Sequence, residues 1–344
     1  MSDDRLQRVG PLVRLSEVLG RYGVTLDMAV AGTDVDPVAL TDPDAAIPFR
    51  AAIRLLGQAA RLTGSRSIGL EIGMLSDYRA LGVVGQLLQQ APTLGEALFD
   101  FVRNQHRNSR GAVVYLMPLG DMFTLGYGIY DRHEDGAGQA YDIALSVAVN
   151  TVRALAGRRA GPVEVLICHR GTASRTHYEA LFGCPVRLNQ PHAAIVLSAE
   201  AMQLPIAGGD PELRDKLIAM VDAANMLGAL DFAAHVRHIL KPNILLGNAS
   251  AERIARQIGT HHRTLNRRLK VEGTSFRAIE QEVRFAIACE LLGLTDLDIS
   301  DISAALGYGT PSAFDRAFRR WTEVSPTSWR NSHSGGSAPV PQPT

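Results

Sequence analysis

At 344 residues the chain is long enough for two hydrophobic cores, since single cores stop growing below that size. Hydrophobic residues make up 46 % and charged residues 20 %, a balance that excludes an extensively disordered chain. The formal net charge is zero, yet residues 241–330 hold 13 basic against 10 acidic side chains while residues 1–240 hold 22 against 25. A local basic patch on a neutral chain implies a directed contact with an anion rather than a general polycation.

No apolar run is long enough to span a bilayer. Met1–Gly10 is polar and mixed in charge, unlike a signal peptide, so a cytoplasmic protein without membrane contact is expected. Cys168, Cys184 and Cys289 are widely spaced, with no C-x-x-C pair and no structural-zinc spacing. Cys168 stands beside His169, but a free cysteine ordinarily packs as a small apolar residue. No disulfide framework, metal or cofactor is expected.

In chain order, Pro11–Val30 has apolar residues at helical spacing, interrupted at Gly20–Gly23, and Asp34–Pro48 reads as a connector rich in Asp and Pro. Phe49–Leu62 is an amphipathic helix stopped by Gly64, and short helices follow over Ser67–Met74 and Leu81–Gln90. Thr93, with Glu96 three residues on, forms a capping-box signal for a helix reaching about Gln105. Ala112–Met117 and Met122–Tyr130, joined through Pro118–Asp121, read as a hairpin. A helix over Gln139–Leu155 ends at Gly157. Then come a strand at Val163–Cys168, a helix at Ser174–Phe182, and short strands at Val186–Leu188 and Ala194–Leu197. The mixed order implies α+β.

Leu204–Pro211 marks a boundary. Two helices, Leu213–Met226 and Phe232–Leu240, connect the halves, and Lys241-Pro242 precedes the basic region. The expected organisation is residues 1–210 as an α+β regulatory domain, 211–240 as a helical connector, 241–330 as an all-α domain and 331–344 as a disordered tail.

Within the all-α domain a single pattern occurs twice: an apolar helix, a glycine, then a helix with a basic exposed side. Ile254, Ala255 and Ile258 lead to Gly259; Ile302 and Leu306 lead to Gly307, 48 residues further on. Two helices joined by a short glycine-containing turn form the helix-turn-helix unit, whose second helix enters the DNA major groove. In the first copy Leu265 and Leu269 share the inner face. Arg263, Asn266, Arg267 and Lys270 take the outer one at i, i+3, i+4 and i+7. Arg suits bidentate contact with guanine, Asn with adenine, and Lys suits phosphate. A basic helix face is ordinarily just solvated, and one copy alone would leave the two readings even. The second copy moves the balance: Phe314 and Phe318 lie inside, while Ser312, Arg316, Arg319 and Arg320 lie outside. An apolar helix, Phe276–Leu292, fills the gap and can hold both units against major grooves that recur at about 34 Å. The paired faces imply sequence-specific reading of double-stranded DNA.

At these residues the chain resembles a known family. "GTSFRAIEQEVRFAIACELL" and "DISDISAALGYGTPSAFDRAFRRWTEVSPTSWR" are similar to the C-terminal DNA-binding domain of AraC/XylS transcription regulators, over about residues 240–330. The resemblance implies base-reading positions at Arg263, Asn266 and Arg267 in the first unit and Ser312 and Arg316 in the second. Lys270, Arg319 and Arg320 are then left for phosphate. Two departures stand out: His261-His262 replaces a common Ser-Pro helix start, so that Thr260 would have to cap, and Glu323 replaces a usual glycine. "IGLEIG", "LGVVGQLLQQAPTLGEAL" and "HYEALFGCPVRL" resemble the arabinose-binding-like sensing domain of the subfamily that includes ornithine-utilisation regulators, over about residues 20–210. That resemblance implies effector sensing and dimerisation, and the family leans towards activation.

Expected partners are promoter DNA, a small-molecule effector, RNA polymerase and a second copy of the chain. Arg103, His106, Tyr127 and Tyr130 are the candidate effector contacts, with surface or core roles as the ordinary alternative; His169 and His177 are isolated. No G-x-S-x-G elbow, glycine-rich phosphate loop or H-E-x-x-H motif occurs, so the chain is read as a non-enzyme. Two alternatives stay open. A ligand-independent architectural DNA-binding protein would bind with little sequence preference and steep salt dependence. An enzyme fused to a DNA-binding domain would show turnover in a fragment ending near Gly208.

Overall fold

Strands and helices are interspersed through the first 200 residues of the computed structural model, which describes residues 5–226 and 232–333. The chain divides into two compact units, Met1–Val114 with Leu119–Leu217, and Tyr115–Pro118 with Ile218–Thr344.

In the first unit β1 (Leu6–Arg8) is followed by α1 (Leu15–Gly20) and α2 (Leu26–Val30), then by β2 (Ala46–Pro48) and α3 (Phe49–Thr63). β1 and β2 pair antiparallel, with Gln7 opposite Ile47. Local patterning gives no warning of this pair, because three-residue strands show no alternation and the segment holding β2 reads as a connector. Next come α4 (Ile68–Met74), α5 (Val83–Gln89) and α6 (Leu94–Asn104). Thr93 caps α6 as expected, its hydroxyl accepting the Glu96 N–H at 3.3 Å; the Glu96 carboxylate lies instead 3.7 Å from Arg214.

The hairpin forms from β3 (Ala112–Leu119) and β4 (Met122–Ile129), and α7 (Ala137–Ala156) crosses behind it. β5 (Glu164–Leu166), α8 (Arg175–Phe182), β6 (Val186–Arg187), β7 (Ala193–Ser198) and α9 (Ala199–Met202) complete the unit. The five-stranded sheet has the order β3-β4-β7-β5-β6. β7 is antiparallel to both β4 and β5, with Thr124 and Glu164 opposite Val196, and β6 is parallel to β5. Helix α7 carries the core: Val149 and Val152 are fully buried, as are Ile195 and Leu197 of β7. Helix α4 lies close against α7 because Gly69 and Gly73 have no side chain; a Cβ at either would collide with the backbone of Gln139 or Ile143. This packing explains the glycines of "IGLEIG". The expectation of a mixed α and β regulatory domain is met.

Helix α10 (Pro211–Met226) begins in the first unit, where Arg214 reaches Asp100 of α6 at 2.7 Å. The second unit contains α11 (Phe232–Leu245), α12 (Ala251–Gln257), α13 (His262–Val271), α14 (Phe276–Leu294), α15 (Ile299–Ala305), α16 (Pro311–Thr322) and α17 (Pro326–His333). Helix α11 does not stop before Lys241-Pro242 as the sequence suggests; it runs through Pro242. An interior proline costs about 3 kcal/mol. Here the buried face of Val236, Ile239, Leu240 and Ile244, packed along α14, offsets it. Asn331, Ser332 and His333, read from the sequence as part of the tail, close α17, and the rest of that tail lies outside the described residues. Among the described residues no helix is long and apolar enough to cross a membrane.

Candidate nucleic-acid interface

Each copy of the repeated pattern is a helix, a glycine turn and a second helix. Gly259 and Gly307 end the first helices with φ of +71° and +75°, a conformation that strongly favours glycine. The second helices, α13 and α16, then start from capped residues. Thr310 accepts the Ala313 N–H at 3.2 Å, and Pro311 occupies the first turn. In α13 the cap is His261 itself, whose Nδ1 accepts the Arg263 N–H at 3.4 Å. The expectation that Thr260 would have to cap is thereby corrected: the imidazole supplies the missing acceptor.

The inner faces follow the helical period. Leu265 and Leu269 are fully buried, with Ile254 and Ala255 buried and Ile258 half-buried on the preceding helix. Phe314 and Phe318 are fully buried, and Phe318 stands at the centre of an aromatic cluster. Its ring centroid lies 5.7 Å from Phe314, 5.9 Å from Phe285 and 6.1 Å from Trp329. Helix α14, capped by Ser275, joins the two copies. Its 19 residues span about 28 Å at the usual rise per residue.

The outer faces carry the predicted contact residues. Arg263, Asn266, Arg267 and Lys270 are exposed on α13, and Ser312, Arg316, Arg319 and Arg320 on α16. Among the described residues the side chains of Arg263, Asn266, Arg267, Lys270, Ser312, Arg316 and Arg320 make no hydrogen bond or ion pair within the protein. Arg319 is different, being held by Asp315 at 2.8 Å one turn earlier. Two neighbours of the first reading helix are structural in a way the sequence conceals. Arg268 stacks 3.9 Å from the ring centre of Phe232, and the Glu272 carboxylate accepts the N–H groups of Phe232 and Ala233 at 3.0 and 2.8 Å. Together they fix the end of α13 to the start of α11. Glu323, in the place of a glycine, closes α16 with φ of +63°.

In the first unit, Tyr127 lines a cavity of about 130 Å³ between α3, α6, α7 and β4, together with Gln105, Asn108 and Thr151, which sequence reasoning did not single out. Arg103, His106 and Tyr130 do not line it. Arg103 is half-buried near Asp100, His106 sits in the turn after α6, and Tyr130 carries the Arg5 guanidinium 4.7 Å above its ring.

Burial pushes the Cys168 thiol up to about 12, which favours the neutral thiol over the thiolate. The fully buried Asp142 beside it accepts hydrogen bonds from Tyr178 at 2.9 Å and from Thr172, with His169 Nε2 at 3.4 Å. This network ties α7 to the loop before α8. Among the described residues no group of three or more His, Cys, Asp or Glu side chains is placed to hold a metal.

Comparison with known proteins bears on both units. Residues 23–206 match the arabinose-binding domain of AraC transcription regulators, and residues 254–332 match a helix-turn-helix domain. The chain is 25 % identical over 300 residues to the HTH-type transcriptional regulator VirS of Mycobacterium tuberculosis, covering 86 % of this chain and 88 % of the relative. It is 25 % identical over 333 residues to the ornithine utilization regulator of Pseudomonas aeruginosa, covering 92 % and 94 %. The crystal structure of the transcriptional regulator CdpR from Pseudomonas aeruginosa aligns with a TM-score of 0.44 at 25 % identity, covering 78 % of this chain and 87 % of that one.

Proposed function

The chain belongs to the AraC transcription regulators, as a DNA-binding regulator with an N-terminal ligand-sensing domain; on that premise we propose which residues read DNA and how the chain is controlled. Arg263, Asn266 and Arg267 of α13 contact base edges in one major groove, and Ser312 and Arg316 of α16 in the next. Lys270, Arg319 and Arg320 grip the flanking phosphates. The observation that carries this assignment is the duplicated arrangement: two capped helices, each fully buried on one side and bearing cationic or amide groups on the other. A ligand-independent architectural role would leave the mixed Arg and Asn face without purpose. An enzyme role is disfavoured because the relatives that align over most of the chain are transcription regulators.

Residues 1–210 sense the effector, residues 211–240 connect, and residues 241–330 bind promoter DNA. Two copies of the chain place their reading helices on neighbouring half-sites, and the bound regulator activates transcription through RNA polymerase in the cytoplasm. An effector controls this only by binding one arrangement of the protein better than another. Footprinting of the full chain on its own upstream region, with and without metabolites, is the direct experiment. A defined protected site whose occupancy changes with one metabolite is expected; protection of no defined site under any condition would refute the assignment. Arg316→Ala should relax base preference at one position and cost about 1–3 kcal/mol. Equal loss on all sequences would reassign Arg316 to phosphate.

A further inference from the structure

One face of α7 is built from alanine. Ala140, Ala144 and Ala148 recur at four-residue spacing, and Thr151 continues the stripe three residues on. All four line the cavity of about 130 Å³, whose opposite walls include Ile53 and Leu56 of α3, Leu98 and Phe101 of α6, and Leu125 of β4. Larger side chains on α7 would fill this space; the alanines keep it open.

Two polar residues of the lining carry side-chain atoms that protein packing leaves unpaired. Asn108 is 9 % exposed and Thr151 4 % exposed, and neither the Asn108 Nδ2 nor the Thr151 hydroxyl has a hydrogen-bond partner among the described residues. Buried polar groups are ordinarily paired, so two unpaired groups among the lining residues leave donors that a small side-chain rotation offers to a ligand. Gln105 spends its amide hydrogens on the carbonyls of Ser109 and Ala112, both at 3.0 Å, which leaves its own carbonyl as an acceptor. Burial raises the Tyr127 phenol well above its ordinary range, so it stays a neutral donor.

Charge narrows the ligand class. No aspartate or glutamate lines the cavity. The one charged lining residue, Arg8, is already engaged, its guanidinium bonded to Asp44 at 3.0 and 2.7 Å and to the Ala80 carbonyl at 2.5 Å. An ammonium group would enter without a counter-charge, and the mostly apolar walls would strip a sugar's hydroxyls of water at a cost. We infer that this cavity is the effector site, and that it takes a small neutral molecule, apolar over most of its surface, with one carbonyl or hydroxyl oxygen. Its size is about six to eight non-hydrogen atoms, by analogy with a cavity of similar volume that accepts benzene. The inference rests on the reading of this unit as the sensing domain.

The test is a thermal-shift titration of the full chain without DNA, so its outcome is separate from that of footprinting. The probes are benzamide, benzyl alcohol and toluene, against ornithine and arabinose. Benzamide and benzyl alcohol should raise Tm, as a ligand bound only by the folded state does. Ala144→Phe, which puts a ring into the cavity, should abolish the shift with its ligand-free Tm at or above that of the parent. Asn108→Leu tests the same site without filling it: toluene should bind as before and benzamide about tenfold more weakly, the loss of one strong hydrogen bond. The inference is overturned if no neutral probe shifts Tm, or if ornithine or arabinose does so while the neutral probes do not. Shifts that survive Ala144→Phe unchanged, or a benzamide affinity unaffected by Asn108→Leu, overturn it too.

Discussion

The two helix-turn-helix copies share one plan and are held together by different chemistry. The second is anchored by large aromatic contacts, with Phe318 touching Phe285, Phe314, Trp321 and Trp329. The first buries Ile254, Ala255, Leu265 and Leu269 at its turn and reading helix, and its position also depends on polar ties: the His261 cap, Arg268 stacked on Phe232, and Glu272 on the start of α11. Burial of big rings is strong and non-directional, whereas stacking and capping are weaker and directional. One copy is therefore the stable anchor and the other the more adjustable head.

The largest effect should come from the anchor. Phe318→Ala should destabilise the second unit by about 3–5 kcal/mol through lost burial and the cavity left behind. Both tryptophans of the chain, Trp321 and Trp329, lie in this unit, so their fluorescence during urea unfolding reports on it directly. A loss no greater than that of Leu265→Ala would erase the distinction between the copies. Glu272→Ala removes the acceptor for two N–H groups of α11 and should cost about 1 kcal/mol, visible as a lower urea midpoint. An unchanged midpoint would mean that solvent serves α11 equally well.

The aliphatic and aromatic backs of the reading helices, and the exposure of their basic fronts, were legible because each follows a 3.6-residue period. The polar ties of the first copy were not. Arg268 looks like one more basic residue in a basic run, and only the fold shows that Phe232 lies beneath it. The cavity was hidden for a related reason: Ala140, Ala144 and Ala148 read as ordinary helix formers, and nothing local tells that Asn108 and Thr151 are buried around one cavity. The path of α11 through Pro242 and the pairing of β1 with β2 likewise come from tertiary contacts that outweigh local signals.

Smaller changes probe the helix ends. His261→Ser gives α13 a hydroxyl cap like those elsewhere in the domain and should stabilise it by about 0.5–1 kcal/mol. Glu323→Gly relieves a left-handed residue at the end of α16 and should gain a similar amount, about 0.5–1 kcal/mol, in the same urea assay. If the weaker copy is limited by its ends, His261→Ser should also sharpen DNA binding; Glu323→Gly should not.

Selection of bound sequences from a random duplex pool, by the parent chain and by Arg267→Ala and Arg316→Ala, measures the central claim most directly. Two blocks of preferred bases about one helical turn apart are predicted, with Arg267→Ala relaxing one block and Arg316→Ala the other. A single block, or variants that lose affinity evenly across all sequences, would contradict two separate reading heads.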